Sequence, residues 1–306
     1  MLRASIDLGT NTCLMLVAEV ESGYIKKALG DYARIVRLGE GVDKTRCLQP
    51  DAIERTLTCL GEYKKIITKA GIPPGDVICV ATSQARDAEN GEEFFSQVEV
   101  EWGFRFRVIS GKDEARLSFM GSLLPGMEPS NHAVVDIGGG STEFVTAEDD
   151  RSIDLGSVRF TERYLRSDPV IDKEFSICLN EIDNNLEELV DWRNSILSGM
   201  QMLAVAGTAT TLASWHLGQE VFNANEVEKV RLTDGDLRRM VECLKRMTIA
   251  ERRNQVGIEP KRADVLLAGA MIMWRTMVKL NFHTCNISSR GLRYGVLMDL
   301  DTNFTD

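Results

Sequence analysis

The chain has 306 residues, 43% of them hydrophobic and 27% charged, and carries a formal net charge of −10. That length suits about two domains of ordinary globular composition. The acidic balance argues against a nucleic-acid polymer as partner, since the footprint of such binders is usually basic. No apolar run approaches the roughly 20 residues that span a bilayer. Asp7 follows Met1 too closely for a secretory signal, so no membrane partner is expected and the chain reads as cytoplasmic. Seven scattered cysteines form no CxxC pair, and the three histidines lie far apart, so neither a zinc site nor a disulfide framework is indicated.

From the N-terminus, Ala4–Asp7 and Cys13–Val20 read as a β-hairpin, with a third strand at Ala33–Arg37. Ile53, Leu57, Leu60, Ile66 and Ile67 recur at helical spacing, which predicts a helix from Pro50 to about Ala70 that Gly71-Ile72-Pro73-Pro74-Gly75 stops. Val77–Ala81 is a continuous apolar run, as a buried strand requires. A polar stretch from Thr82 to Ala88 then leads into a helix through Phe95. Phe104–Ile109 predicts another strand, followed by Ser110-Gly111-Lys112-Asp113-Glu114 and a helix to about Leu123. The turn-rich, polar segment 124–131 is the best boundary, dividing the chain into domains 1–125 and 126–306, with the closing helix free to pack back on the first. The second half restarts with a hairpin at Asp136 and continues with helices at Thr161–Leu165 and Lys173–Trp192. A strand at Met202–Val205 runs into a helix ending at Leu217. Helices Thr233–Met247, Ile249–Asn254 and Ala263–Leu280, a strand at Cys285–Ser288 and a closing helix at Gly291–Asp299 complete the reading.

The two hairpins share one motif. Asp7-Leu8-Gly9-Thr10-Asn11-Thr12 and Asp136-Ile137-Gly138-Gly139-Gly140-Ser141-Thr142 each follow an apolar strand and precede another. Tips of this kind expose backbone amides that bind phosphate oxygens, and glycine lets the ligand approach the backbone. Two such hairpins suggest two related half-domains facing each other across a cleft. Gly207-Thr208-Ala209, between a strand and a helix, joins amides to a helix N-terminus and supplies a third wall for the same phosphate site. A carboxylate beside a phosphate loop repels the phosphate but can hold a bridging cation. Asp7, Asp136 and Glu143 are therefore candidates for Mg²⁺, or Mn²⁺ in its place; the alternative is a turn-capping Asp or an exposed strand Glu. Glu114 reads equally as part of a helix capping box, and Arg86 as a surface residue or a guanidinium fork on phosphate. The basic run Lys245, Arg246, Arg252, Arg253, Lys261 and Arg262 is either a solvated helix face or a polyphosphate-facing wall.

Taken together, DLGTNT (7–12), ATSQARDAEN (81–90), SGKDEARLSFMG (110–121), DIGGGSTEFV (136–145), AGTATTLA (206–213) and SSRGLRYGVL (288–297) resemble the exopolyphosphatase / guanosine pentaphosphate phosphohydrolase family along essentially the whole chain. The resemblance implies an α/β fold of two ribonuclease-H-like domains, as in the actin / sugar-kinase superfamily, around a central cleft. It implies Glu114 as the general base, Arg86 as a phosphate ligand, Asp136 and Glu143 as Mg²⁺ carboxylates, and the loops at 9–12, 138–142 and 207–210 as phosphate cradles. The expected activity is hydrolysis of the terminal phosphoanhydride of inorganic polyphosphate. Guanosine pentaphosphate is the alternative substrate, and an actin-like or sugar-kinase-type ATP-binding protein the alternative class. Many family members continue into further helical domains, so this chain resembles the short form, and a homodimer is the expected way to lengthen its channel.

Overall fold

The computed structural model describes residues 1–82, 88–194, 196, 197 and 199–299. By its internal contacts the chain divides into two compact units, Met1–Gly121 joined by the chain from Gly291 onward, and Ser122–Arg290. The closing segment thus returns to the first unit.

In the first unit, β1 (Leu2–Leu8), β2 (Thr12–Glu21) and β3 (Tyr24–Ile35) form an antiparallel meander, and β4 (Val77–Ala81) and β5 (Phe106–Val108) add in parallel, giving the order β3-β2-β1-β4-β5. Alternation along β1 sends Ala4, Ile6 and Leu8 to one face and Ser5 and Asp7 to the other. The first face is covered by α1 (Pro50–Lys69) and α2 (Gly91–Trp102), whose Leu60, Tyr63, Ile67, Phe94 and Val98 share its core. Proline in the first turn of α1 and a left-handed Gly103 after α2 mark their ends. On the second face lie α3 (Gly111–Ser122) and α10 (Leu292–Met298), packed through Leu117, Leu292 and Val296 on Val80, and through Tyr294 and Leu297 on Leu16, Ala18 and Val20.

α3 and α10 meet backbone to backbone. A Cβ on Gly121 would lie 2.2 Å from the Gly291 carbonyl oxygen, and one on Gly295 would lie 1.8 Å from the carbonyl oxygen of Leu117. Only glycine fits either position. α10 is also tied to the sheet: Arg293 donates to both Asp31 oxygens at 2.8 Å, Tyr294 donates to Asp31 at 3.1 Å, and Ser5 Oγ donates to the Arg293 carbonyl at 2.7 Å. Burial alone would lower the Arg293 pKa, but Asp31 and, further down, Asp7 hold it above its ordinary value.

The second unit repeats the plan. β6 (His132–Ile137), β7 (Thr142–Val145) and β8 (Asp150–Ile153) form the meander. β9 (Gln201–Val205) and β11 (Thr284–Ile287) extend it in parallel, and β10 (Arg231–Thr233) closes the order β10-β11-β9-β6-β7-β8. Its helices include α4 (Ser157–Tyr164), α5 (Asp172–Glu187), α6 (Ala206–Leu217), α7 (Asp234–Arg246), α8 (Ile249–Arg253) and α9 (Leu266–Leu280). α9 is apolar on nearly every side and is buried accordingly, from Leu266 to Met273 without a break. Among the described residues no helix is long and apolar enough to cross a membrane.

Three expectations need correction. The third strand of the first meander begins at Tyr24 rather than Ala33, because an edge strand in water shows no core-facing alternation. The helix expected to end at Phe95 instead spans Gly91–Trp102, with Phe94 and Val98 buried. β8 and β10 were not expected at all; four half-polar residues and three residues are too short for a periodic signal.

Asp31→Ala removes the bidentate partner of an arginine that is 7% exposed. We expect a loss of about 3 kcal/mol, the low end for breaking a buried pair, because the Asp31 side chain keeps 35% exposure. Urea unfolding with an unchanged slope and a lower midpoint is the check.

Candidate functional site

Both phosphate-loop motifs sit at the carboxyl ends of central strands, the usual place for ligands in α/β sheets, and both are braced in one way. In the first, the Thr10 carbonyl accepts from the Gly39 amide at 2.9 Å, the Asn11 carbonyl from the Val36 and Arg37 amides at 3.0 and 3.1 Å, and the Thr12 carbonyl from the Gly9 amide at 2.9 Å. In the second, the Gly138 carbonyl accepts from the Ser157 amide at 3.0 Å and Gly139 from the Val158 and Arg159 amides at 2.9 and 3.1 Å. Gly140 accepts from Arg159 Nε at 2.8 Å, and Ser141 from the Gly138 amide at 3.0 Å. In a trans peptide the C=O and the following N–H point in opposite directions. Carbonyls drawn backward therefore turn the amides of Asn11 and Thr12, and those of Gly139, Gly140 and Ser141, to the other side of each loop. Such an array of donors is an anion cradle.

Glycine has a distinct reason at each place. A Cβ on Gly9 would meet nothing closer than 3.6 Å, so packing does not demand glycine there, and the missing side chain leaves room on the loop. A Cβ on Gly156 would lie 2.2 Å from the Gly139 carbonyl oxygen, so glycine is what lets the brace reach the loop. Thr142, expected on the phosphate, is fully buried and its hydroxyl donates to the Leu155 carbonyl. It braces the loop from inside, which corrects that expectation.

The third loop lies next to the second, since β9 runs parallel to β6 with Val205 opposite Asp136. Ala206 takes φ 66°, a left-handed turn uncommon for a residue with a side chain, and α6 starts there. Thr208 packs on Gly269 and Ala209 is fully buried, so their backbone amides, not their side chains, are what the helix N-terminus offers. Arg262 lies over Gly207, where a Cβ would fall 1.7 Å from its guanidinium. Burial lowers its pKa to about 10, with Glu259 offsetting part of the shift. The rest of the basic run disperses: Lys245 pairs with Asp172 at 2.7 Å, Arg252 is buried and donates to the Leu244 carbonyl, and Arg246 and Arg253 face solvent. Of the two readings of this run, most of it follows the solvated face, and Arg262 alone of its described residues lies over the loop at α6.

The carboxylates separate by environment. Asp136 and Glu143 are directly opposite in the β6–β7 register, which puts their Cβ atoms on one face, roughly 5 Å apart. Glu143 is 1% exposed, and two like charges so placed repel, which a shared cation would offset. Among the described residues no three His, Cys, Asp or Glu side chains form a ready cage. Mg²⁺, which usually takes one or two protein carboxylates and fills its shell with water and phosphate, fits this pair. Asp7, on β1 between Leu14 and Val80, has the Arg293 guanidinium in its field. Glu114 is 8% exposed in the first turn of α3. It is not the capping residue: Ser110 Oγ donates to Asp113 at 2.6 Å and accepts from the Asp113 amide at 3.1 Å. Arg86 lies outside the described residues.

Sequence reasoning missed the braces. Their signal was present as a second repeat, Leu38-Gly39 and Leu155-Gly156, one dipeptide after the third strand of each meander.

Two mixed-sheet α/β units with paired amide cradles and buried carboxylates define a protein that handles phosphate groups. A family model described as the Ppx/GppA phosphatase family matches residues 16–304. The chain belongs to that family, which is one of phosphoanhydride hydrolases. It is 36% identical over 283 residues to exopolyphosphatase 2 of Mycobacterium tuberculosis, covering 88% of each protein. It is 37% identical over 286 residues to a bifunctional 3-dehydroquinate synthase/phosphatase of Fusobacterium nucleatum, covering 89% of this chain and only 42% of that longer protein. The crystal structure of the Aquifex aeolicus Ppx/GppA family member superposes with a TM-score of 0.78 at 31% identity, covering 97% of this chain and 96% of that one.

Arg159→Ala leaves the Gly140 carbonyl without its guanidinium donor and lets that peptide turn. Leaving a buried acceptor unsatisfied costs about 1–3 kcal/mol, so orthophosphate binding should weaken by roughly tenfold or more, read by calorimetry. Unchanged affinity would mean that the loop holds its peptides without the brace.

Proposed function

We propose that the chain is an exopolyphosphatase that hydrolyses the terminal phosphoanhydride of inorganic polyphosphate and releases orthophosphate. The observation that carries this reading is the braced pair of loops. Their amides are held in place before any ligand arrives, which suits a repeating phosphate chain and asks nothing of a sugar or base. The relatives named exopolyphosphatase support it.

The second unit grips the terminal phosphoryl group through the amides of Gly139, Gly140 and Ser141 and the N-terminus of α6, with Arg262 adding positive charge. The Gly9–Thr12 loop offers phosphate a second cradle of amides, and Glu114 is the base of the proposed hydrolysis. Glu114 accepts a proton from water as the water oxygen bonds to the terminal phosphorus. The bridging P–O bond breaks, and its electron pair leaves on the shortened chain. Asp136 and Glu143 would hold Mg²⁺, which when bound offsets negative charge on the phosphate oxygens.

Orthophosphate release should follow incubation with Mg²⁺ and long-chain polyphosphate, with guanosine pentaphosphate and ATP as parallel substrates. Turnover of the guanosine compound alone would move the assignment to a guanosine pentaphosphate phosphohydrolase, and ATP turnover alone to an ATPase. Glu114→Gln should lower turnover by about 10² to 10⁴ while leaving orthophosphate binding intact. A variant with wild-type turnover would remove Glu114 from the mechanism.

A further inference from the structure

The geometry points to Ser152 as a positioning residue for Glu143, one that sets the divalent-cation affinity of the Asp136–Glu143 pair. This rests on the reading of that pair as the metal carboxylates. Three strands place the residues in one row. Asp136 on β6 faces Glu143 on β7, and Glu143 faces Ser152 on β8. Directly opposed residues project to the same face, so the row runs carboxylate, carboxylate, hydroxyl. Ser152 Oγ donates to Glu143 Oε1 at 2.9 Å.

The burial gradient along the row gives that bond its role. Glu143 is 1% exposed, and an ionised carboxylate withdrawn from water is costly unless donors reach it. Ser152 is exposed on an edge strand, so it reaches inward from the solvent side with no packing duty of its own. Its hydroxyl donates to Oε1 and so favours one rotamer of the Glu143 carboxylate. A serine hydroxyl is neutral, so it steadies the carboxylate without cancelling the charge that a cation needs. An arginine or lysine at the same place would compete with that cation. Partners of this kind, which orient a ligating carboxylate without touching the metal, typically change metal affinity by about 10–100-fold when removed.

The experiment is a calorimetric titration of the full chain with Mg²⁺ alone, repeated for Ser152→Ala and Ser152→Thr. Alongside it, the Mg²⁺ dependence of orthophosphate release from polyphosphate is measured. We expect Ser152→Ala to bind Mg²⁺ at least tenfold more weakly and to need correspondingly more Mg²⁺ for half-maximal rate, with kcat at saturating Mg²⁺ near wild type. Ser152→Thr, which keeps the hydroxyl and suits a strand, should restore both values. Wild-type Mg²⁺ affinity in Ser152→Ala overturns the inference. So does a fall in kcat that saturating Mg²⁺ does not repair, or absence of Mg²⁺ binding in the unsubstituted protein. Failure of the functional reading shows separately: the calorimetric difference would stand while polyphosphate released no orthophosphate.

Discussion

The direction in which a few peptide groups face governs everything that the two loops do. A glycine-rich turn by itself samples many orientations, and only some present donors to an anion. Here the carbonyls of Thr10, Asn11, Gly138, Gly139 and Gly140 are committed to partners behind the loop. Peptide planarity then leaves the amides no choice of side. The donors are in place before ligand binds, so ordering them costs nothing at the moment of reaction, which is where preorganised dipoles gain most of their effect.

The two units reach this arrangement with different materials. In the first, residues 36–39 return beside the loop, and Arg55 of α1 holds that return segment by donating to the Val36 carbonyl at 2.9 Å. In the second, the start of α4 does the bracing, and Arg159 reaches the loop directly. The glycine run at 138–140 accompanies this tighter approach, while the first loop keeps Thr10 and Asn11. The carboxylates diverge in the same sense. Asp7 shares the field of a buried arginine, and Asp136 shares a row with another carboxylate. A repeated scaffold thus sets one carboxylate beside a buried arginine and the other beside a second carboxylate, which in the proposed reading separates a loop for anions from one for anions with a cation.

Much of this was legible in the residues. The hairpins, the parallel strands at Val77 and Met202 and the long helices α1 and α7 could be read because each has either an apolar run or a 3.6-residue period to declare it. Most of β3 escaped because an edge strand in water carries no such pattern, and β8 and β10 because four and three residues are too short to show one. The loops were readable as phosphate cradles from glycine and hydroxyl content. Their braces were not, since a backbone amide looks the same in every residue and only a fold can say which carbonyl it meets. Glu114 illustrates the limit most clearly. Spacing alone allowed it to belong to a capping box at the start of α3, and the hydrogen bonds of Ser110 go to Asp113 instead.

Placement of Glu114 depends on residues far from it in sequence. α3 carries Glu114 in its first turn and meets α10 backbone to backbone at Gly121 and Gly295, beside the shared cluster of Leu117, Leu292 and Val296. Contact between bare backbones leaves little slack, because at the two glycines there is no flexible side chain to repack. α10 is in turn bound to β3 through the Arg293–Asp31 pair and to β1 through Ser5. The carboxylate in the first turn of α3 is therefore located by a chain of rigid contacts that begins in the last strand of the first meander. General-base catalysis requires the base within hydrogen-bond reach of the water it deprotonates, and a shift of about 1 Å is enough to cost a large factor in rate. In the hydrolysis proposed above, α10 would be the stop against which the base is set.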